Sequence, residues 1–287
     1  MNIRIVKRED IDKVKWNSCV HYAEKGNPFG YLWFLDNISK DWFGIVEDDY
    51  LSVMPVFIEP KFWKRKLFAT PNLLPFFQLY SVNVLSERRI GAFLKLAIEH
   101  SNGLRLSNVL VGLQYPEKLG LKQNNRKSTM LKLGQSYTNI LNRFSKEMQD
   151  LEHDINLDKY TLSSIKIEDL ADFMAKTHRL SEKDKFTLMR LFYNAQQRQL
   201  GQVFALKDTD GKILAADFVF LSHGRMIPFL PSSTAKGLKI RAEKIIYTRL
   251  LKRFAEQPLK FYIHPKSTLS HDFSQDLLEI PVFDLKK

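Results

Sequence analysis

Hydrophobic and polar positions alternate with two different periods along this chain, and the switches between them lay out its elements. Ile3–Lys7 reads as an opening strand, and Ile11, Val14, Trp16 and Val20 recur at helical spacing over Glu9–Tyr22. Gly26-Asn27-Pro28 interrupts that helix, and Tyr31–Ile38 resumes as a short one. Trp42–Val46 and Tyr50–Ile58 form strands around the acidic turn Glu47-Asp48-Asp49, with Pro55 marking an edge or a bulge. The basic, aromatic link Lys61–Lys66 contains Trp63, and Leu67–Thr70 is a further strand. Pro71–Ser81 is a loop too apolar to be solvated. Glu87–Glu99 is a helix carrying Ile90, Phe93, Leu94, Ala97 and Ile98, and Ser107–Leu113 and Ser128–Leu133 are strands.

The second half repeats this grammar. Tyr137–Asp150 reads as a bridging helix, Thr161–Ile165 as a strand, and Ile167–Arg179 and Lys183–Leu200 as helices. Gln202–Lys207 and Ile213–Leu221 are strands around Asp208-Thr209-Asp210-Gly211, whose glycine supplies the positive φ of a tight hairpin. His223-Gly224 turns the chain into Met226–Leu230. A polar loop from Pro231 to Lys239 leads into a helix with Ala242, Ile245, Ile246, Leu250 and Phe254 at helical spacing. Leu259–Ile263 is a strand, Ser270–Leu278 a short helix and Ile280–Leu285 a final strand. Both halves run helix, helix, strand, acidic turn, strand, strand, proline-led loop, helix, strand, and about twenty residues separate turn from loop each time. We therefore expect two similar α/β modules packed closely, 1–135 and 136–287, with the last strand 280–285 a candidate to return to the first.

Composition narrows the class. The 287 residues are 44% hydrophobic and 12% aromatic, a globular composition with a sizeable core. Cys19 is alone, so no intrachain disulfide forms, and it reads as a small apolar filler. No apolar run approaches the ~18 residues of a membrane span, and Met1–Asp10 has no signal-peptide core, so a cytoplasmic location is expected, with room for peripheral membrane contact. Net charge is +12: residues 1–145 hold 21 basic and 13 acidic residues, the remainder 23 and 19. Such a balance favours anionic partners. Lys236, Lys239, Arg241 and Lys244 crowd a helix N-terminus, where the macrodipole is already positive and each costs roughly 0.3–1 kcal/mol unless an anion compensates. The loop entering this helix, with Gly237, reads either as an anion site or as an exposed basic face. No nucleophile elbow, P-loop or dinucleotide fingerprint is present. His264 and His271 lie seven apart without flanking Cys or Glu, so no metal site is expected.

The element order resembles the GNAT acyltransferase fold, and two copies in tandem resemble the Fem-type aminoacyltransferases. Trp33 and Trp42, Val46-Glu47-Asp48-Asp49-Tyr50, Val53-Met54-Pro55 and Pro75-Phe76-Phe77-Gln78-Leu79 with Ser81 are similar to a bacterial Fem-like subgroup. Tyr137-Thr138-Asn139-Ile140-Leu141 is similar to the helix that opens the second Fem module. The resemblance spans nearly the whole chain. It implies transfer of an activated acyl or aminoacyl group to an amine, from aminoacyl-tRNA or another anionic donor, with peripheral contact to cell-envelope precursors. Two departures stand out. Where Fem proteins carry a basic run, Glu147–Glu152 is acidic, and where acetyl-CoA enzymes carry a glycine-rich pyrophosphate loop, Lys236–Arg241 offers only Gly237 between bulky Leu238 and Ile240.

Such a transfer needs positioning, an oxyanion donor and a group that takes the amine proton. The resemblance puts the acyl group between the strands Met226–Leu230 and Leu259–Ile263. Ser232, Ser233, Tyr247 and His264 lie near that gap, and Ser232, Ser233, Lys236, Gly237, Lys239 and Arg241 are the expected donor-binding set. His264 suits a base because its ordinary pKa is near 6.5, or else it is a satisfied histidine at a strand end. Tyr247 suits protonation of a leaving group, or core packing. Asp217 is expected to face outward from its strand. Trp33, Gln78 and Tyr80 are the expected acceptor-binding set, with Phe76 and Phe77 as core aromatics. Two other readings stay open: an acetyl-CoA-dependent N-acetyltransferase using only the second half, and a non-catalytic module that binds an anionic ligand.

Overall fold

A computed structural model describes the chain except residues 61–65, 111, 155–158 and 264–277. The link around Trp63, the helix expected from Ser270, His264 and His271 lie outside the described residues. The chain divides into two compact units, Met1–Lys127 with Pro281–Lys287, and Ser128–Ile280. The division thus falls ahead of residue 135, and the last seven residues belong with the first unit.

In the first unit, β1 (Ile3–Lys7) leads to α1 (Lys13–Tyr22) and α2 (Leu32–Ile38). The expected longer first helix starts late because the Asp12 carboxylate accepts from the amides of Val14 and Lys15 and caps it there. β2 (Trp42–Glu47), β3 (Ser52–Pro60), β4 (Lys66–Ala69) and the short β5 (Tyr80–Ser81) follow, then α3 (Glu87–Glu99), β6 (Leu104–Val109) and β7 (Lys122–Lys132). Pro55 faces Gly44 in β3, between the residues that pair with β5 and those that pair with β4, so no ladder bond needs its missing amide hydrogen. The apolar loop before β5 is interior: Leu74, Phe76, Phe77 and Leu79 are all buried. Cys19 is buried too, which pushes its thiol up to about 12 and leaves it inert.

In the second unit, α4 (Tyr137–Leu141) and α5 (Lys146–Asp154) replace the single bridging helix expected there. Ser136 caps the first and Ser145 accepts at the start of the second, so each makes its own N-terminus. β8 (Tyr160–Ser163), α6 (Ile167–His178), α7 (Glu182–Gln197), β9 (Gly201–Asp208), β10 (Ile213–Ser222), β11 (Arg225–Pro228) and the short β12 (Ser232–Ser233) come next. The basic helix is broken into α8 (Ala235–Lys239) and α9 (Ala242–Phe254) at Arg241, whose φ is 56°. β13 (Lys260–Ile263) and β14 (Leu278–Lys286) complete the chain.

The strand orders are the same in both units. Unit 1 runs β1-β2-β3-β4-β6-β14 and unit 2 runs β8-β9-β10-β11-β13-β7. In each, the fourth and fifth strands are parallel and their neighbours antiparallel, and a two-residue strand, β5 or β12, pairs back on the third. The sixth strand of unit 1 is β14 from the chain's end, registered Phe283 to Val109, while Thr129–Lys132 of β7 close unit 2 against β13. Unit 1 is therefore closed by a strand from beyond its main run of sequence, and unit 2 by the residues at the start of its own run. The fold is α/β with mixed sheets, as the patterning implied.

Candidate functional site

The parallel pair of unit 2 is short. β11 and β13 match only at Arg225 with Lys260 and Met226 with Phe261, although β13 continues to Ile263. β11 then swings away at Phe229 and Leu230, and β12 rejoins β10 at Ala216 with Ser232. The two strands therefore part into a gap beyond Met226. What holds the swing is Asp217. Its carboxylate accepts from the Leu230 amide at 3.0 Å and from the Tyr247 hydroxyl at 2.9 Å.

Asp217 does not face outward as expected. It shares the face of Ala215 and Val219, inside the core formed with α9, while Phe218 on the opposite face stacks on Phe192 of α7 at 4.4 Å. Both faces of β10 are covered, so its alternation exposes neither. Burial raises the Asp217 carboxyl to about 7, opposed by the two hydrogen bonds. Burial likewise raises Tyr247 well above its ordinary value. Tyr247 is thus a core residue whose hydroxyl is committed to Asp217.

The serines sit at the mouth of the gap. Ser232 donates to the Leu230 carbonyl at 2.8 Å, and His178 Nε2 lies 2.9 Å from Ser232 Oγ and 3.2 Å from the Pro231 carbonyl. With hydrogen on Nε2, His178 donates to the Pro231 carbonyl and to Ser232 Oγ, which itself donates to Leu230. Ser233 Oγ is buried and has no partner among the described residues.

The basic loop resolves differently from a phosphate cradle. Lys236 pairs with Asp208 at 2.7 Å, which also accepts the turn amides of Asp210 and Lys212. Arg241 pairs with Glu147, and Lys252 with Glu152 at 3.7 Å. The acidic stretch of α5 and the basic stretch of α9 are therefore two sides of one feature, and the anion that the crowded helix start calls for is supplied by the fold itself. Gly237 answers a packing need: a Cβ there would lie 2.1 Å from the Leu214 carbonyl oxygen. Thr234 caps α8 by accepting from the Gly237 amide. Lys239 is exposed and makes no ion pair among the described residues.

The first-unit set is partly interior. Gln78 and Tyr80 are buried, and both are held by Asn27: its Nδ2 donates to Gln78 Oε1 at 3.1 Å, and the Tyr80 hydroxyl donates to its Oδ1 at 2.9 Å. Gln78 Nε2 donates to the Lys25 carbonyl. They tie the Asn27–Gly30 turn to β5, with no side chain left to line a groove. Trp33 is half-buried and meets Phe34 edge-on. Sequence reasoning passed over His178, and it read Asn27 and Asp208 only as turn residues and Glu147 only as part of an acidic run. Asp217 had a signal, a lone carboxylate inside the continuous apolar run Leu214–Leu221.

Among the described residues, no group of three or more His, Cys, Asp or Glu could hold a metal ion, and no helix is long and apolar enough to cross a membrane.

No protein-family model and no curated protein matches the chain. Solved structures do. FemX aligns with 99% of this chain and 97% of its own at a TM-score of 0.63 and 10% identity. A conserved protein of unknown function from Bacteroides thetaiotaomicron aligns with 97% of this chain and 98% of its own, at 0.57 and 12%. L-PGS from Bacillus licheniformis aligns with 96% of this chain and 91% of its own, at 0.55 and 11%. At these identities the likeness is one of fold, and it covers both units.

Proposed function

With the fold of FemX as the premise, we propose that the chain is an acyltransferase that moves an activated acyl or aminoacyl group onto an amine, with the donor's acyl end in the gap where β11 leaves β13. The observation that carries this reading is the Asp217-held swing of Leu230. It turns the chain away from β13 beyond Met226, where the parallel pairing ends, and a strand gap is where a planar acyl group gains backbone hydrogen bonds on its edges. In the transfer, the amine nitrogen bonds to the acyl carbon, the ester or thioester bond breaks, and the leaving oxygen or sulfur ends with the proton that the amine gave up. Asp217 and Tyr247 act as positioning residues that hold the gap open.

The donor is better read as an aminoacyl ester than as acetyl-CoA. Gly237 is packed against Leu214, and Lys236 and Arg241 already have carboxylate partners, so the phosphate grip of an acetyl-CoA loop has no ready equivalent. One observation favours the non-catalytic reading: the Leu230 amide, the natural oxyanion donor at the swing, is taken by Asp217. The experiment offers radiolabelled aminoacyl-tRNA and acetyl-CoA in turn, with a mixture of amine acceptors. Label moving into an amide from aminoacyl-tRNA is expected. Label moving from neither donor overturns the reading in favour of a binding module.

A further inference from the structure

The edge of β9 is only half covered. β8 pairs with it from Tyr160 opposite Asp208 to Ser163 opposite Ala205 and then ends, while β10 pairs along the other side as far as Gly201. The Leu221 amide donates to the Leu200 carbonyl, so the alternation of an antiparallel ladder sends the backbone groups of Leu200, Gln202 and Phe204 toward β10. Those of Gly201 and Val203 point the other way, where no strand lies. Both residues are buried, and no hydrogen bond reaches their outward amides among the described residues. Buried backbone groups without partners are rare, and an uncovered strand edge is a template for pairing.

This edge forms the wall of a cavity of about 620 Å³. Ser163 lines it with a buried Oγ that has no partner among the described residues. Gln199, Gln202 and Arg253 also line it, and none of the three side chains has a hydrogen bond or ion pair within the described protein. The contrast with the basic loop is sharp: there each of two cations is matched by a carboxylate, whereas the Arg253 guanidinium lies over the Phe254 ring at 5.4 Å and has no carboxylate partner among the described residues.

We propose that this cavity binds an extended acidic peptide segment, which continues the line of β8 antiparallel to β9. Its backbone pairs with Gly201 and Val203, and one of its carboxylates pairs with Arg253. Only an extended backbone offers donors and acceptors at the two-residue spacing that Gly201 and Val203 present. The carboxylate follows from a guanidinium that has no carboxylate partner among the described residues and from the +12 net charge of the chain.

The test is fluorescence anisotropy with the full chain and a dye-labelled, terminally blocked hexapeptide of alternating glutamate and valine. Saturable binding is expected, weakened at least about tenfold by Arg253→Gln, a loss of ~1.4 kcal/mol. Val203→Pro removes the outward amide hydrogen, along with the buried valine side chain, and is expected to weaken binding by a similar factor. If that variant fails to fold by circular dichroism, a peptide N-methylated at alternate residues removes the same pairing from the other side and is expected not to bind. Three outcomes overturn the proposal. One is no saturable binding up to about 1 mM. Another is equal binding of the peptide with lysine in place of glutamate. The third is a dimer in sedimentation velocity that Val203→Pro dissolves, which would give the edge to a second copy of the chain.

Discussion

Asp217 carries most of the residue-scale chemistry. A carboxyl raised from its ordinary 3.8 to about 7 by burial binds a proton in the folded chain that the unfolded chain has already lost. The stability it contributes is thus fully present below about pH 4 and is lost as pH rises through 7. Across that window the wild type should lose roughly 1–4 kcal/mol relative to Asp217→Asn, read from urea midpoints at several pH values. Parallel pH profiles for the two proteins would show that the carboxyl is not held this way. Gly237 gives a second prediction at this scale. Gly237→Ala drives a methyl into the Leu214 carbonyl, and a loss of about 2 kcal/mol or more is expected by thermal unfolding. Unchanged stability would return Gly237 to a role in ligand approach. The two residues also mark what a sequence carries and what it hides. A glycine at a loop–helix entry reads equally well as a phosphate cradle or as a packing point, because both need a missing Cβ. Only the position of the Leu214 carbonyl decides.

At the scale of elements, local chemistry was legible wherever the signal was itself local. The helix Glu87–Glu99 has its Ser86 cap and an apolar stripe, and the Asp208–Gly211 turn has a glycine at φ 76°; both stand where the pattern put them. What could not be read were the pairings between distant elements. The charges of α5 and α9 each look like a surface tendency alone, and their match across Glu147–Arg241 and Glu152–Lys252 is a tertiary fact. The break between α4 and α5 was missed for a different reason, since serine caps compete with a helical period that runs on through them. The ion pairs are at least partly exposed on their cationic sides, so they add little stability. Changing both Glu147 and Glu152 to Gln should cost less than about 1 kcal/mol yet free Arg241 and Lys252. Retention on an immobilised polyanion should rise clearly above that of wild type, and unchanged retention would mean that these carboxylates do not mask the cations.

For the molecule as a whole, duplication is the main finding. The same six-strand order occurs twice, unit 1 is closed by a strand from the far end of the chain, and solved structures match across nearly the full length. The repeat was legible as an order of elements and turns. The ownership of the closing strands was legible only as a possibility for 280–285, because a strand's partner depends on contacts across most of the chain. Removing 281–287 should leave unit 1 with β6 as an open edge. The truncated chain is expected to aggregate or to lose its unit 1 melting transition, while the fragment 128–280 keeps a cooperative one. A truncated chain that melts like the full one would separate β14 from the stability of unit 1.

The central claim is that the parted strands of unit 2 receive the activated acyl group. The most direct measurement is photocrosslinking with an aminoacyl ester donor whose acyl chain carries a diazirine, followed by mass-spectrometric mapping. The account predicts label on Met226–Leu230 and on Phe261–Ile263, reduced in Asp217→Asn. Label confined to other segments, or equal labelling of wild type and Asp217→Asn, would contradict it.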